Sequence, residues 1–191
     1  MRNRHTNPRG RVVVAAVEML ARHGLNATSI REMTKRAEAP LGSTYHHFPG
    51  GKQQVVVEAI ELAGAHVGAR LERHLQDGAL AGLRAYLAAW RQSLIATEFR
   101  RGCPVMGVAV EEPIDDIAVE ALDAAAAAFG DWQRRLAAAL QVQGHAPAAA
   151  ARLATLIIAS VEGAIVMCRA QRSIEPFDHV AAQLEALVAT P

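Results

Sequence analysis

Residues 39–52 read "APLGSTYHHFPGGK". This run, punctuated by glycine and proline, interrupts a chain otherwise rich in alanine and other strong helix formers. It is too polar for a core and too short for a linker. Pro40 discourages continuation of a preceding helix, and Gly42 permits a tight turn. Ser43 can cap a short helix, "STYHHF". Pro49, Gly50 and Gly51 then break the chain, and Lys52 begins a long helix, "KQQVVVEAIELAGAHVGARLERHL".

Upstream, two more short helices are expected. Pro8 opens the first, in which Val12, Val13, Ala16, Val17 and Leu20 recur at helical spacing until His23-Gly24 stops it. Thr28 or Ser29 caps the second, "IREMTKRAEA", with Glu32 three residues after Ser29 in capping-box position. Ile30, Met33 and Ala37 form its apolar face. Three short helices with a short turn between the second and third make a helix-turn-helix unit, whose last helix enters the major groove of DNA.

Charge agrees with that reading. Residues 1–52 hold nine basic and three acidic residues, a net +6. The whole chain is +1, so the remainder is −5. A basic head beside an acidic body suits a polyanion partner, double-stranded DNA on the helix-turn-helix reading, or else is chance clustering on a solvated surface. Gly42 would let the backbone approach DNA. Ser43 and Thr44 would bond to base edges or phosphates, Tyr45 would reach phosphate, and His46 would offer a donor or acceptor. Lys52 adds charge at a helix start.

The ordered set "GLNATSIREMTKRAEAPLGSTYHHFPGGK", residues 24–52, resembles the signature of the TetR family of bacterial transcriptional repressors. "RGCPVMGVAVE", residues 101–111, looks like a segment of the branch that includes multidrug-resistance regulators. The resemblance implies DNA contacts at Thr28, Gly42, Ser43, Tyr45, His46 and Lys52, with Phe48 packed into the small domain. The residue before Gly42 is often lysine in the family and is Leu41 here. That removes a phosphate contact and offers an apolar one to a thymine methyl.

The expected fold is all-α with about nine helices: a three-helix DNA-binding domain over 1–52, then a larger helical ligand-binding and dimerisation domain over 53–191. Further helices are expected over about 79–98, 104–111, 115–142, 147–171 and 176–188. Asp115 and Asp116 would lead the third of these, where the helix dipole favours anions. The resemblance implies a homodimer built from the last two long helices. Apolar stripes at Leu153, Ile157, Val161 and Ile165, and at Phe177, Val180, Leu184 and Leu187, suit a symmetric four-helix interface or packing within one subunit.

The resemblance also implies a small-molecule inducer. Large adaptable side chains in the body, Trp90, Met106, Phe129, Trp132 and Met167, suit an apolar pocket, with Cys103 and Glu162 as polar anchors, although the ordinary reading of each aromatic or methionine is core. Glu162 is either a polar residue on a seam or a ligand-facing carboxylate. Cys103 is either a thiol sensor or, more simply, a buried inert thiol. No Gly-rich phosphate loop, nucleophile elbow or helical metal-ligand cluster occurs in the sequence, so neither catalysis nor a cofactor or metal is expected. His46 and His47 are adjacent on a helix and do not face the same way. The run 155–168 contains Glu162 and is short for a membrane span, and two cysteines make no disulfide framework. The sequence therefore points to a soluble, cytoplasmic protein that does not engage a membrane.

Overall fold

The computed structural model describes residues 7–111 and 118–189, which form nine helices. These are α1 (Pro8–His23), α2 (Ile30–Arg36), α3 (Leu41–His47), α4 (Gly51–Leu75), α5 (Ala79–Ala96), α6 (Pro104–Ala109), α7 (Ala118–Val142), α8 (Pro147–Gln171) and α9 (Glu175–Ala189). The expected start of a helix at Asp115 and Asp116 lies outside the described residues.

Local chemistry sets the helix ends. Asn7 accepts the N–H of Arg9 with its side chain, and Pro8 occupies the first helical position of α1. Ser29, not Thr28, caps α2: its Oγ accepts the Glu32 N–H at 3.2 Å. α3 starts two residues earlier than the sequence suggests. Its cap is Pro40, whose carbonyl accepts the Thr44 N–H, so Ser43 lies inside the helix. The second helix ends at Arg36 because Glu38 turns left-handed at φ 50°.

The described residues of Met1–Gly64 and Cys103–Ala128 form one compact unit, and those of Ala65–Gly102 and Phe129–Pro191 form a second. In the first, α1 contributes Val12, Val13, Ala16, Met19 and Leu20 to the core. Met33, Phe48, Val55, Val56, Ala59, Ile60, Val105 and Val108 complete it. Phe48 is fully buried, as expected of it, and the Arg9 guanidinium lies 4.8 Å above its ring.

α6 belongs to this first unit and packs on α1. Just beyond it, the Glu111 carboxylate accepts the backbone N–H of Leu25 at 2.9 Å and of Asn26 at 2.8 Å. These two donors lie in the connection that follows α1, outside its helical ladder, and the carboxylate satisfies both. Gly24 makes room. It turns with φ +77°, and a Cβ there would fall 1.6 Å from Glu111 Oε1.

In the second unit α8 packs on α9, and both pack on α5. Leu83, Leu94, Trp132, Leu136, Ile157, Val161, Ile165, Phe177 and Val188 fill the interior. Exposed ion pairs join α5 to α9: Arg91 grips Asp178 with two nitrogens at 2.8 and 3.1 Å, and Arg84 meets Glu185 at 2.7 Å. The run 155–168, expected to be too short for a span, is part of the 25-residue α8. With an 18-residue stretch of mean hydropathy 1.7, α8 is long and apolar enough to cross a membrane by composition. It buries one side against α5 and α9 instead, including Glu162.

Replacing Glu111 by alanine removes a charged acceptor from two backbone donors. The expected loss is about 2 kcal/mol of stability in urea unfolding, with faster amide exchange at Leu25 and Asn26. Unchanged exchange at those two amides would show that water replaces the carboxylate without cost.

Candidate nucleic-acid interface

The turn between α2 and α3 is braced from within the first unit. Arg11 on α1 donates to the carbonyl of Ala37 at 2.9 Å and of Glu38 at 3.2 Å. The Ala39 N–H returns to the Thr34 carbonyl at 3.0 Å. These bonds satisfy the end of α2 and set the direction in which α3 leaves it. With Phe48 anchoring its far end in the core, α3 has one buried side and one facing solvent.

The solvent side carries part of the expected set. Leu41 is 41% exposed and Tyr45 53%; Gly42 and His46 are exposed too. Lys52 is half-buried in the first turn of α4. The side chain of Ser43 lies outside what the structure describes.

Two expectations are corrected. Thr44 is buried, and its hydroxyl donates to the Pro40 carbonyl at 3.1 Å. Thr28 is buried as well, its hydroxyl donating to the Gly24 carbonyl at 2.5 Å. A hydroxyl has one proton to donate, and both are committed inside the chain. Neither faces a nucleic acid with its donor. Three cations not singled out in the sequence, Arg31, Lys35 and Arg36, are exposed on α2. Their signal was the charge excess itself, which flagged the segment without ranking its members.

Among the described residues nothing accounts for Gly42. It sits in a helix with an ordinary φ, and a Cβ built on it would meet nothing within 4 Å. Glycine in a helix costs about 1 kcal/mol relative to alanine. A free site for a side chain, left empty at that cost, is what close approach of an outside partner requires.

The other expected residues scatter. Cys103 and Met106 belong to the first unit, and Trp90, Phe129, Trp132, Glu162 and Met167 to the second. Phe129 and Trp132 meet edge to face, 5.4 Å between ring centres, and Trp132 is fully buried. Cys103, which caps α6, and Glu162 are buried; Trp90 and Met106 are half-buried. Met167 is a correction: at 49% exposure it lies on the outer side of α8, not in an interior. A groove of about 440 Å³ in the first unit is lined by Gly50, Gln53, Gln54, Val57, Glu58, Glu61 and Glu120. It contains none of the expected ligand residues, and its three carboxylates do not suit an apolar guest. Among the described residues no group of three metal-ligating side chains gathers.

Comparisons with known proteins identify the family of both parts of the chain. Residues 12–59 match the family described as bacterial regulatory proteins, tetR family. Residues 79–183 match the C-terminal domain described as transcriptional regulator LmrA/YxaF-like. The chain belongs to the TetR family. It is a DNA-binding transcriptional regulator by family. Over 184 residues it is 38% identical to the HTH-type transcriptional regulator MT0206 of Mycobacterium tuberculosis, covering 95% of this chain and 94% of that one. Its identity to the HTH-type transcriptional regulator LmrA of Bacillus subtilis is 24% over 182 residues, covering 94% and 96%. The crystal structure of regulatory protein TetR from Rhodobacter sphaeroides superposes with a TM-score of 0.80 at 25% identity, covering 92% of this chain and 96% of that one.

Gly42→Ala separates the two demands on that position. Thermal unfolding should show a gain of up to about 1 kcal/mol, while DNA affinity falls. If affinity is unchanged, the space above Gly42 is not occupied by the duplex.

Proposed function

We propose that this regulator is a repressor that binds a pseudo-palindromic operator as a homodimer and is released by a small, hydrophobic molecule held in its C-terminal body. The observation that carries the reading is the solvent face of α3. It presents Leu41, Gly42, Tyr45 and His46, flanked by exposed cations of α2. Phosphate contacts from Arg31, Lys35, Arg36, Tyr45 and Lys52 would fix the register, and the α3 face would read bases. Two such helices, about 34 Å apart, would enter successive major grooves.

Dimerisation is supported by α8, though not by most of the residues the sequence suggested. Ile157, Val161, Ile165, Phe177 and Leu184 are buried in their own unit, and Leu153 and Val180 are half-buried. Leu187 alone of that set is exposed. The uncovered side of α8 bears Leu156, Val166 and Met167, each 45–49% exposed. Gly163 lies among them with nothing within 4 Å of a built Cβ. A second copy packed there would bury these side chains and use the space at Gly163 for close helix approach.

Release would work by population shift: the ligand must bind the DNA-incompetent conformation better, or it moves nothing. α4, the long helix that follows the helix-turn-helix segment, would be the lever. The fastening of α6 to α1 through Glu111 adds a second route, because displacing α6 would pull on the turn that precedes α2.

A salt titration on duplexes enriched from random sequence, against a scrambled duplex, tests the reading. Preferential binding that falls steeply with salt is expected; equal binding to both would overturn it. For the dimer, Gly163→Arg should sediment as a monomer and lose high-affinity operator binding. A dimeric Gly163→Arg protein would move the interface away from this side of α8.

A further inference from the structure

α3 lacks every side chain that reads guanine or adenine through paired hydrogen bonds. Its sequence is LGSTYHH, without Arg, Lys, Asn or Gln. Its first residue is Leu41, and an exposed leucine on an ordinary surface needs no explanation. This one stands at the N-terminal end of the helix, the part of a recognition helix that meets base edges. Beside it Gly42 leaves open space. Tyr45 follows at i+4 on the same side, more than half exposed, so an apolar patch lies where the groove floor would come. The exposed cations belong to α2. Charge and base reading are thus divided between the two helices. The major-groove feature that complements an aliphatic side chain is the 5-methyl group of thymine.

We propose that Leu41 is a specificity-determining residue that packs on the 5-methyl group of one thymine in each operator half-site. The inference rests on the DNA-reading role of α3 proposed above. Gly42 allows the approach, and Leu41 converts it into discrimination by removing the methyl and part of its own side chain from water.

The test uses the full chain and an operator enriched from random duplexes. Each thymine is replaced by deoxyuridine, one symmetric pair at a time, which deletes the methyl and keeps every hydrogen-bonding group. One pair should weaken wild-type binding about fifteenfold, from about fourfold per methyl withdrawn from contact. Leu41→Ala should bind the thymine and deoxyuridine duplexes equally, with an unchanged circular-dichroism melt showing that it folds. Leu41→Lys should also be blind to the methyl, and its affinity should fall more steeply with salt, by about one released counterion per half-site. Tolerance of deoxyuridine at every thymine would overturn the proposal. So would a deoxyuridine penalty in Leu41→Ala equal to that of wild type. Failure to enrich any sequence would instead sink the DNA-reading assignment, and this inference with it.

Discussion

Two backbone N–H groups at the end of α1 find their acceptor 86 and 85 residues later in the chain, on the Glu111 carboxylate. That closure ties the connection after α1 to a residue just beyond α6. The connection after the C-terminal end of α1 presents these two donors outside the helical ladder, and a charged group from beyond α6 meets them. Gly24 is the steric condition for it, since any side chain would displace the carboxylate. The helix-turn-helix segment is therefore not a free-standing head. It shares a compact unit with α6, and its first turn is tied to a residue distant in sequence.

The same economy of donors explains the α3 face. Thr28 and Thr44 look, by residue type, like groups that would greet a phosphate. Both instead spend their protons on carbonyls one turn back, and both are buried. What remains facing outward is mostly apolar or aromatic at α3 and cationic at α2. On the reading proposed above, the cations of α2 would meet the phosphate backbone and the apolar face of α3 would meet the bases.

The second unit holds a contrast of its own. α8 has apolar residues around most of its circumference, and only part of it is covered by α5 and α9. Burial of Glu162 and Cys168 on the covered side shows that polarity alone does not predict which side turns inward. Burial pushes the Cys168 thiol up from its ordinary pKa, which keeps it protonated and unreactive.

What the sequence determined by itself was local. Caps and breakers such as Pro8, Gly24, Ser29 and Pro147 act within a few residues, so helix positions and the helix-turn-helix unit were legible in it. Phe48 as an anchor was legible through the family resemblance. Boundaries slipped at α3, where two candidate caps, Pro40 and Ser43, compete within one turn. Tertiary structure alone decided which hydroxyls turn inward, which side of α8 is covered, and that Glu111 closes the end of α1. Each of these depends on a partner far along the chain. A periodicity says that a helix has an apolar side, but where apolar residues surround it, as in α8, only the neighbours that pack against it choose the side left open.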